Sequence, residues 1–154
     1  LDGLTMLLNR TQYEKDLERI KPPAVIINMD VDDFKQINDT SGHAAGDYYL
    51  RQIAEVIRTV YGRHGDCYRY GGDEFSLILT KNLHQMEKLN GMFETALGQL
   101  REQDPQMPMV SLGYALYEGG IEALYATIEK ADAMMYRNKK VNDRAEIVEI
   151  AAEI

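Results

Sequence analysis

Two hydrophobic periods alternate along the 154-residue chain. Tyr13, Leu17 and Ile20 recur at helical spacing before a pair of prolines. Residues 24–29 then form a short apolar run rich in β-branched side chains, which is typical of a buried strand. The first helix is expected to begin at one of two capping boxes: Asn9 with Gln12, or Thr11 with Glu14.

The rest of the chain continues this alternation. It predicts an α/β (α+β) fold with a mixed central β-sheet flanked by helices, and one β-hairpin with a glycine-containing tip. The expected helices cover about 33–40, 44–60, 86–100 and 121–139, and the expected strands cover 24–29, 68–70, 75–79, 110–116 and 145–150.

Length and charge limit the classes of function. The length suits one domain, residues 1–154, and because residue 1 is Leu, we expect a domain excised from a longer protein. A formal net charge of −8 argues against a broad nucleic-acid-binding surface. No window of 18 apolar residues is present, so we expect no membrane contact by this domain. The single Cys67 fits a reducing compartment and is expected to pack in a strand.

The segment Arg69–Phe75 combines two glycines and two acids between the hairpin strands. Gly71 and Gly72 can take positive φ and let a ligand approach the backbone. Asp73 and Glu74 follow directly, and fixed carboxylates beside bare backbone suit a metal-bound polyphosphate. The alternative is an ordinary hairpin turn with two solvated acids.

A second acidic block starts where the buried strand ends. Asp30 closes that strand, and a carboxylate there needs a partner, which favours a metal ion. The following helix offers backbone N–H groups around Asp33 and Phe34 to phosphate oxygens, and Lys35 adds a positive charge. Asp32 or Asp33 can instead cap this helix, and for Asp32 the cap is the favoured interpretation.

A third candidate site consists of two polar residues, Asn38 and Asp47, that can recognise a base. The Asp47 carboxylate can accept hydrogen bonds from guanine N1–H and N2–H₂, while the Asn38 amide bonds the N3/N2 edge. Taken alone, Asp47 is equally well explained as a residue of a helix's first turn, stabilised there by the helix dipole.

Together these blocks give the chain a resemblance to a known family. It resembles a GGDEF domain, the diguanylate cyclase family that makes cyclic di-GMP in bacteria. The resemblance rests on segments that occur in this order along the chain: Asp2–Thr5 with Asn9-Arg10, Asp30–Asp39, Gly42–Asp47, Gly71–Phe75, Ser111–Gly113, Ala131-Asp132 and Tyr136–Lys139.

The resemblance implies a palm-like fold similar to that of nucleotide cyclases, with the signature on the hairpin. It implies two Mg²⁺ (or Mn²⁺) ions per active half-site, GTP as substrate, and a homodimer for catalysis. It also implies a bacterial cytoplasmic location, an upstream sensor or dimerisation domain, and a parent protein that can be membrane-anchored. The implied metal ligands are Asp30, the Val31 carbonyl, Asp73 and Glu74; the implied catalytic residues are Glu74, Asp73 and Lys35; the implied substrate contacts are Asn38, Asp47, Phe34, Asp33, Gly71, Gly72 and Lys139.

Three departures from the family pattern qualify this reading. Met6 stands where members usually have Gly, in a segment whose role is expected to be structural. Asp143 replaces an Arg that commonly binds phosphate four residues after Lys139. Many members carry an Arg-x-x-Asp motif that binds the inhibitory product. Arg63 and Asp66 have the spacing of this motif but lie one residue too close to the glycine pair, so we expect no inhibitory site. The alternative function is a catalytically silent GTP-binding regulatory module.

Overall fold

The computed structural model describes the backbone of residues 1–153 and the side chains of residues 1–142. Its elements follow the hydrophobic pattern closely. They are α1 (Arg10–Glu18), β1 (Ala24–Val31), α2 (Phe34–Ser41), α3 (His43–Tyr61), β2 (Gly65–Arg69), β3 (Glu74–Leu79), a 3₁₀ turn (Leu83–Gln85), α4 (Met86–Gln103), β4 (Val110–Tyr117) and α5 (Ile121–Glu153).

The four strands form one sheet in the order β2-β3-β1-β4. All three named strand pairs are antiparallel, and the expected mixture of directions is confined to an isolated parallel bridge between Leu8 and Tyr68. The expected helix-flanked sheet is therefore confirmed, with β1 and β3 at its centre.

Alternate residues of β1 separate two cores. Val25, Ile27 and Met29 pack on the face covered by α3 and α4, whereas Ala24 and Ile26 pack on the face covered by α1 and α5. By the same period of two, Asp30 lies on the α1/α5 face. This orientation brings the end of β1 beneath α5.

The expected strand over 145–150 is wrong, because α5 continues through this segment to Glu153. The segment is rich in Ala and Glu, which are strong helix formers, and neither Gly nor Pro interrupts the helix before it. Alternating apolar residues suggested a strand, but the local preference for helix prevailed.

Three expectations about single residues can be compared with the structure. Asn9 caps α1 by accepting a hydrogen bond from the Gln12 backbone N–H at 3.0 Å, so Asn9 is the expected cap that is used, although the Gln12 side chain bonds Asp16 and does not complete the capping box. Met6 has a φ of 61°, in the left-handed region where glycine is favoured. For a residue with a side chain, this backbone conformation costs about 1 kcal/mol. Cys67 is buried in β2, as expected, and burial raises the pKa of its thiol to about 12.

Candidate active site

Three carboxylates meet where β1 ends and β3 begins. Asp30 of β1 lies directly across the ladder from Glu74, the first residue of β3. Asp73 precedes Glu74, and its carbonyl accepts a hydrogen bond of 2.9 Å from the Val31 backbone N–H. One carboxylate oxygen from each of the three acids lies within 4.8 Å of the others. The fold therefore brings together the acids predicted to bind metal.

The charges of this cluster are poorly balanced. Burial raises the pKa of Asp73, and the neighbouring Asp30 carboxylate raises it further. Burial raises the pKa of Glu74 as well, followed by the charges of Asp30 and Asp73. Lys139 Nζ of α5 lies 3.1 Å from Asp30 Oδ2. Three acids facing one lysine leave an excess of negative charge in a partly buried place.

This donor set fits a divalent cation. Carboxylate oxygens are hard ligands that suit Mg²⁺ or Mn²⁺, and a cation would relieve the repulsion that raises the two pKa values. The donors come from two strands that are hydrogen-bonded to each other, so their spacing is held by the sheet.

The glycine tip differs from its prediction in one respect. Neither Gly71 nor Gly72 has a positive φ, so left-handed backbone is not the reason for glycine here. A Cβ at Gly72 would meet no atom within 4 Å, and one at Gly71 would lie 3.1 Å from Glu74 Oε2. The fold leaves space for a side chain at Gly72, whereas one at Gly71 requires Glu74 to shift, and room for a ligand remains the predicted reason for glycine.

Arg69 holds the tip to the start of the chain. Its Nη2 donates to the Gly72 carbonyl at 2.8 Å and its Nε to the Gly71 carbonyl at 3.2 Å. Its Nη1 lies 3.2 Å from both carboxylate oxygens of Asp2, which also accepts from the Thr5 backbone N–H. Asp2 and Arg69 both belong to sequence motifs, but their ion pair was not predicted because they lie 67 residues apart along the chain.

Asn38 and Phe34 of α2 lie against Gly46 of α3, the residue that precedes Asp47. The Asn38 Oδ1 atom is buried and has no hydrogen-bond partner among the described residues. A Cβ on Gly46 would lie 2.0 Å from this oxygen and 3.0 Å from the Phe34 ring, so glycine permits the close contact. Asp47 follows Gly46 and is exposed. A buried acceptor beside an exposed carboxylate suits a ligand that donates to both.

The alternative explanation of Asp47 is wrong. Helix α3 begins at His43 and its first turn contains no acidic residue, so Asp47 lies beyond the part of the helix where a capping charge is most favourable.

The cap predicted for Asp32 is also wrong. Asp33 is the residue that precedes α2, with a φ of 53° and no side-chain capping bond. Asp32 is instead buried, and accepts hydrogen bonds from Ser111 of β4 and Asn142 of α5. Burial raises the pKa of Asp32, while the bonds from Asn142 and Ser111 oppose that effect.

Two other predicted phosphate contacts have different outcomes. Lys139 reaches the carboxylate cluster, as described above. Lys35 is exposed in the first turn of α2, and no ion pair in the described part of the chain includes it. The side chain of Asp143 lies outside the described residues.

A polar group beneath the cluster was missed. Ser76 Oγ donates to Asn28 Oδ1 at 2.9 Å, and Asn28 Nδ2 donates to Asp132 Oδ1 at 2.6 Å, which ties β3, β1 and α5 together. A cavity of about 450 Å³ lies beside this group. One signal was visible in the sequence: Asn28 interrupts an otherwise apolar strand, and a buried amide needs partners. The cavity lining includes Tyr13, Leu17, Tyr70, Glu74, Tyr125 and Met135.

The structure around Arg63–Asp66 is consistent with the expected lack of an inhibitory site, which stays a prediction. The family motif has five residues between its Asp and the glycine pair, a spacing that puts the inhibitory acid at Gly65 in this chain. A Cβ there would lie 2.1 Å from the Ile78 carbonyl oxygen, because Gly65 pairs closely with β3. Both Arg63 and Asp66 are exposed. This backbone leaves no room for a side chain at the family position.

None of the described helices has an apolar stretch of the length needed to cross a membrane.

Comparison with known proteins places this site in a family. The family model described as "Diguanylate cyclase, GGDEF domain" matches residues 1–144. Diguanylate cyclase DgcS of Shewanella oneidensis is 33% identical over 147 residues, covering 90% of this chain and 49% of DgcS. Diguanylate cyclase DosC of Escherichia coli is 32% identical over 153 residues, covering 91% of this chain and 33% of DosC. The chain thus spans between a third and a half of these relatives.

A solved structure supports the same assignment. The coiled coil and GGDEF domain of DgcB from Caulobacter crescentus, in complex with c-di-GMP, superposes with a TM-score of 0.77. The two are 28% identical, and the match covers 90% of this chain and 80% of that one. Three observations agree: the approach of the Asp30, Asp73 and Glu74 carboxylates, the hairpin between β2 and β3, and the family match over residues 1–144. The chain belongs to the diguanylate cyclase GGDEF domain family.

Proposed function

We propose that this domain is a diguanylate cyclase, which condenses two GTP molecules into cyclic di-GMP and releases two pyrophosphates. The observation that carries the proposal is the approach of the Asp30, Asp73 and Glu74 carboxylates within 4.8 Å, with Lys139 beside them. Unbalanced acids at the end of a strand suit metal-dependent phosphoryl chemistry.

These residues are assigned two roles in the reaction at the α-phosphate, metal binding and proton acceptance. Asp30, Asp73, Glu74 and the Val31 carbonyl would hold two Mg²⁺ or Mn²⁺ ions per half-site. When bound, such ions neutralise phosphate charge and lower the pKa of the attacking hydroxyl. Glu74, whose pKa is raised by burial and by its acidic neighbours, accepts the proton of the 3′-OH. The 3′ oxygen bonds to the α-phosphorus of the other GTP as the bond to pyrophosphate breaks.

Other residues bind the triphosphate. Lys139 and Lys35 supply positive charge, and the backbone N–H groups around Asp33 and Phe34 donate to phosphate oxygens. Gly71 and Gly72 leave the hairpin tip open to the nucleotide. The first turn of α2 and the tip are therefore the two backbone segments assigned to phosphate.

The base would bind between α2 and α3. The unpartnered Asn38 Oδ1 is suited to accept from the guanine N2 amine, and Asp47 to accept from N1–H and N2–H₂. Adenine has an acceptor at N1 where guanine has a donor, so the same carboxylate disfavours ATP.

Each domain holds one GTP in this proposal, so two domains must face each other for two reciprocal attacks. A homodimer then supplies proximity as part of catalysis. The relative DgcB carries a coiled coil beside its GGDEF domain, and coiled coils bring chains together. By analogy, an upstream sensor or dimerisation domain would control this one. The substrate is an intracellular nucleotide, which places the domain in the bacterial cytoplasm.

A second candidate function is a GTP-binding regulatory module without turnover. The observation that favours it is Asp143, a carboxylate at the position where the family pattern often has a phosphate-binding Arg. A negative charge near the triphosphate would weaken substrate binding.

One experiment separates the two candidates. The domain is fused to a dimerising coiled coil and incubated with GTP and Mg²⁺, and the nucleotides are separated by chromatography. Glu74→Gln controls for contaminating enzymes, and Glu118→Gln, which alters an exposed acid after β4, controls for the loss of one charge. Cyclic di-GMP and pyrophosphate from the parent and Glu118→Gln alone would support the cyclase. Bound but unconverted GTP in the enforced dimer would contradict it and favour the regulatory module.

A further inference from the structure

Asp32, Ser111 and Asn142 form a buried polar network next to the carboxylate cluster. Ser111 Oγ lies 2.7 Å and 2.9 Å from the two Asp32 carboxylate oxygens. Asn142 Nδ2 lies 2.9 Å from Asp32 Oδ2 and 3.1 Å from Ser111 Oγ. Asp32 is 5% exposed and Ser111 1% exposed. The network joins the end of β1, the second residue of β4 and one turn of α5.

The turn of α5 that enters this network also carries Lys139. Residues three apart on a helix lie on the same face, so Lys139 and Asn142 both point towards the sheet. Lys139 contacts Asp30, and Asn142 contacts Asp32, two residues later in the chain. Both contacts therefore link the same turn of α5 to the end of β1.

The network is not needed merely to attach α5 to the sheet. One turn earlier, Asn138 Nδ2 donates to the Leu112 carbonyl at 2.6 Å. Earlier still, a Cβ at Gly113 would lie 2.0 Å from the Ala131 carbonyl oxygen, so helix and strand are already in close backbone contact. A buried carboxylate carries a desolvation cost that an apolar contact would avoid. What the network adds is a fixed position for the turn beyond Asn138.

We propose that Asp32, Ser111 and Asn142 are positioning residues, which hold Lys139 against the carboxylate cluster. Lysine has a long side chain with many rotamers, so the position of its backbone decides how often the ammonium group reaches Asp30. The consequence for nucleotide, a tighter grip on the triphosphate through Lys139, rests on the proposed function. The positioning itself does not.

The first test measures Lys139 in the free domain. N-hydroxysuccinimide acetate acylates accessible lysines, and mass spectrometry follows the rate at Lys139 relative to exposed Lys140. We expect Asn142→Ala to speed acylation of Lys139 at least threefold, with Lys140 unchanged. Asn138→Ala is the matched control, since it removes another asparagine bond from α5 to β4. No acceleration in Asn142→Ala, or an equal acceleration in both variants, would overturn the proposal.

The second test is a double-mutant cycle on GTP affinity, measured by calorimetry. We expect Asn142→Ala to weaken GTP binding about fivefold, and to have no further effect in the Lys139→Ala background, because it acts through that lysine. Equal effects in both backgrounds would overturn the role of Lys139. Ser111→Ala is measured in parallel, so that the conclusion stands if Asn142→Ala folds poorly by circular dichroism.

The two readouts separate the two claims. Faster acylation with no GTP binding by any variant would support the positioning and contradict the proposed function. Normal GTP binding with unchanged acylation would contradict the positioning and leave the proposed function standing.

Discussion

Asp30 and Asp32 lie two residues apart at the end of β1, but their carboxylates have opposite surroundings. Asp32 is buried, and Ser111 and Asn142 provide a hydrogen-bond donor to each of its carboxylate oxygens. Asp30 is only partly buried and faces two other acids with Lys139 as its described partner.

The difference separates a structural acid from a ligand-binding acid. A carboxylate whose oxygens are satisfied by neutral donors has no need of a further partner. Burial and the charge of Asp30 raise the pKa values of Asp73 and Glu74, so any cation that enters stabilises the ionised form of these two acids. Burial raises the pKa of Asp32 and also that of Asp73. The number of donors, and not the pKa shift, therefore distinguishes the two kinds of site.

Replacement of Asp30 should have the largest functional effect. Asp30→Asn keeps the shape of the side chain but removes a proposed metal ligand. In the enforced dimer we expect turnover to fall at least about 100-fold, equivalent to about 3 kcal/mol of activation free energy. Chromatography of the products measures it, with Asp39→Asn, an exposed acid of α2, as the control. Turnover within threefold of the parent would place the metal ligands elsewhere.

Asp32→Ala should have the largest effect on stability. It removes the acceptor of the buried Ser111 hydroxyl and leaves Asn142 with Ser111 Oγ alone, so we expect the free energy of unfolding to fall by about 2–3 kcal/mol. Urea denaturation measures the change, and Asp39→Ala again controls for a lost surface carboxylate. Surface substitutions usually change the free energy of unfolding by no more than about 0.5 kcal/mol. A change for Asp32→Ala within about that range would mean that the network contributes little to stability.

Ser111→Ala should give a smaller loss. It removes the hydroxyl donor but leaves the bond from Asn142 to Asp32, so we expect about 1 kcal/mol of destabilisation. Combined with Asp32→Ala in a double-mutant cycle, its effect should largely disappear, because the two residues share one network. Full additivity in urea denaturation would show that they act separately.

Asp73→Asn should change stability in the opposite direction. Without a bound metal ion, removing one of three repelling charges should raise the free energy of unfolding by about 0.5 kcal/mol. The measurement is urea denaturation in a chelating buffer. Destabilisation by 1 kcal/mol or more, twice the ordinary surface variation of about 0.5 kcal/mol, would erase the contrast with Asp32.

The sequence predicts the acids of the cluster because each is marked locally. Asp30 ends an apolar strand, and Asp73 and Glu74 follow a glycine pair between two strand-like segments. Strand pairing then brings the two places together. The hairpin and the boundaries of α2, α3 and α4 were also predicted to within a few residues, since they depend on local periodicity, whereas the end of α5 was not.

The errors concern contacts between distant segments. Asp32 was read as a cap because its partners, Ser111 and Asn142, are 79 and 110 residues away along the chain. The glycine tip was explained by positive φ, which the hairpin between β2 and β3 does not use. The pairing of Asn38 with Asp47 stays a prediction, and the contact of Asn38 with Gly46 was missed because it depends on how α2 packs against α3. Such packing is not visible in local patterns.

The contrast between the two acids can be tested directly by Mn²⁺ titration of the parent, Asp73→Asn and Asp32→Asn, with urea denaturation at each concentration. A ligand that binds only the folded domain stabilises it in proportion to its occupancy. We predict that Mn²⁺ stabilises the parent and Asp32→Asn by the same increment and leaves Asp73→Asn nearly unchanged. Equal increments in all three proteins, or loss of the increment in Asp32→Asn alone, would contradict the assignment of the cluster as the metal site.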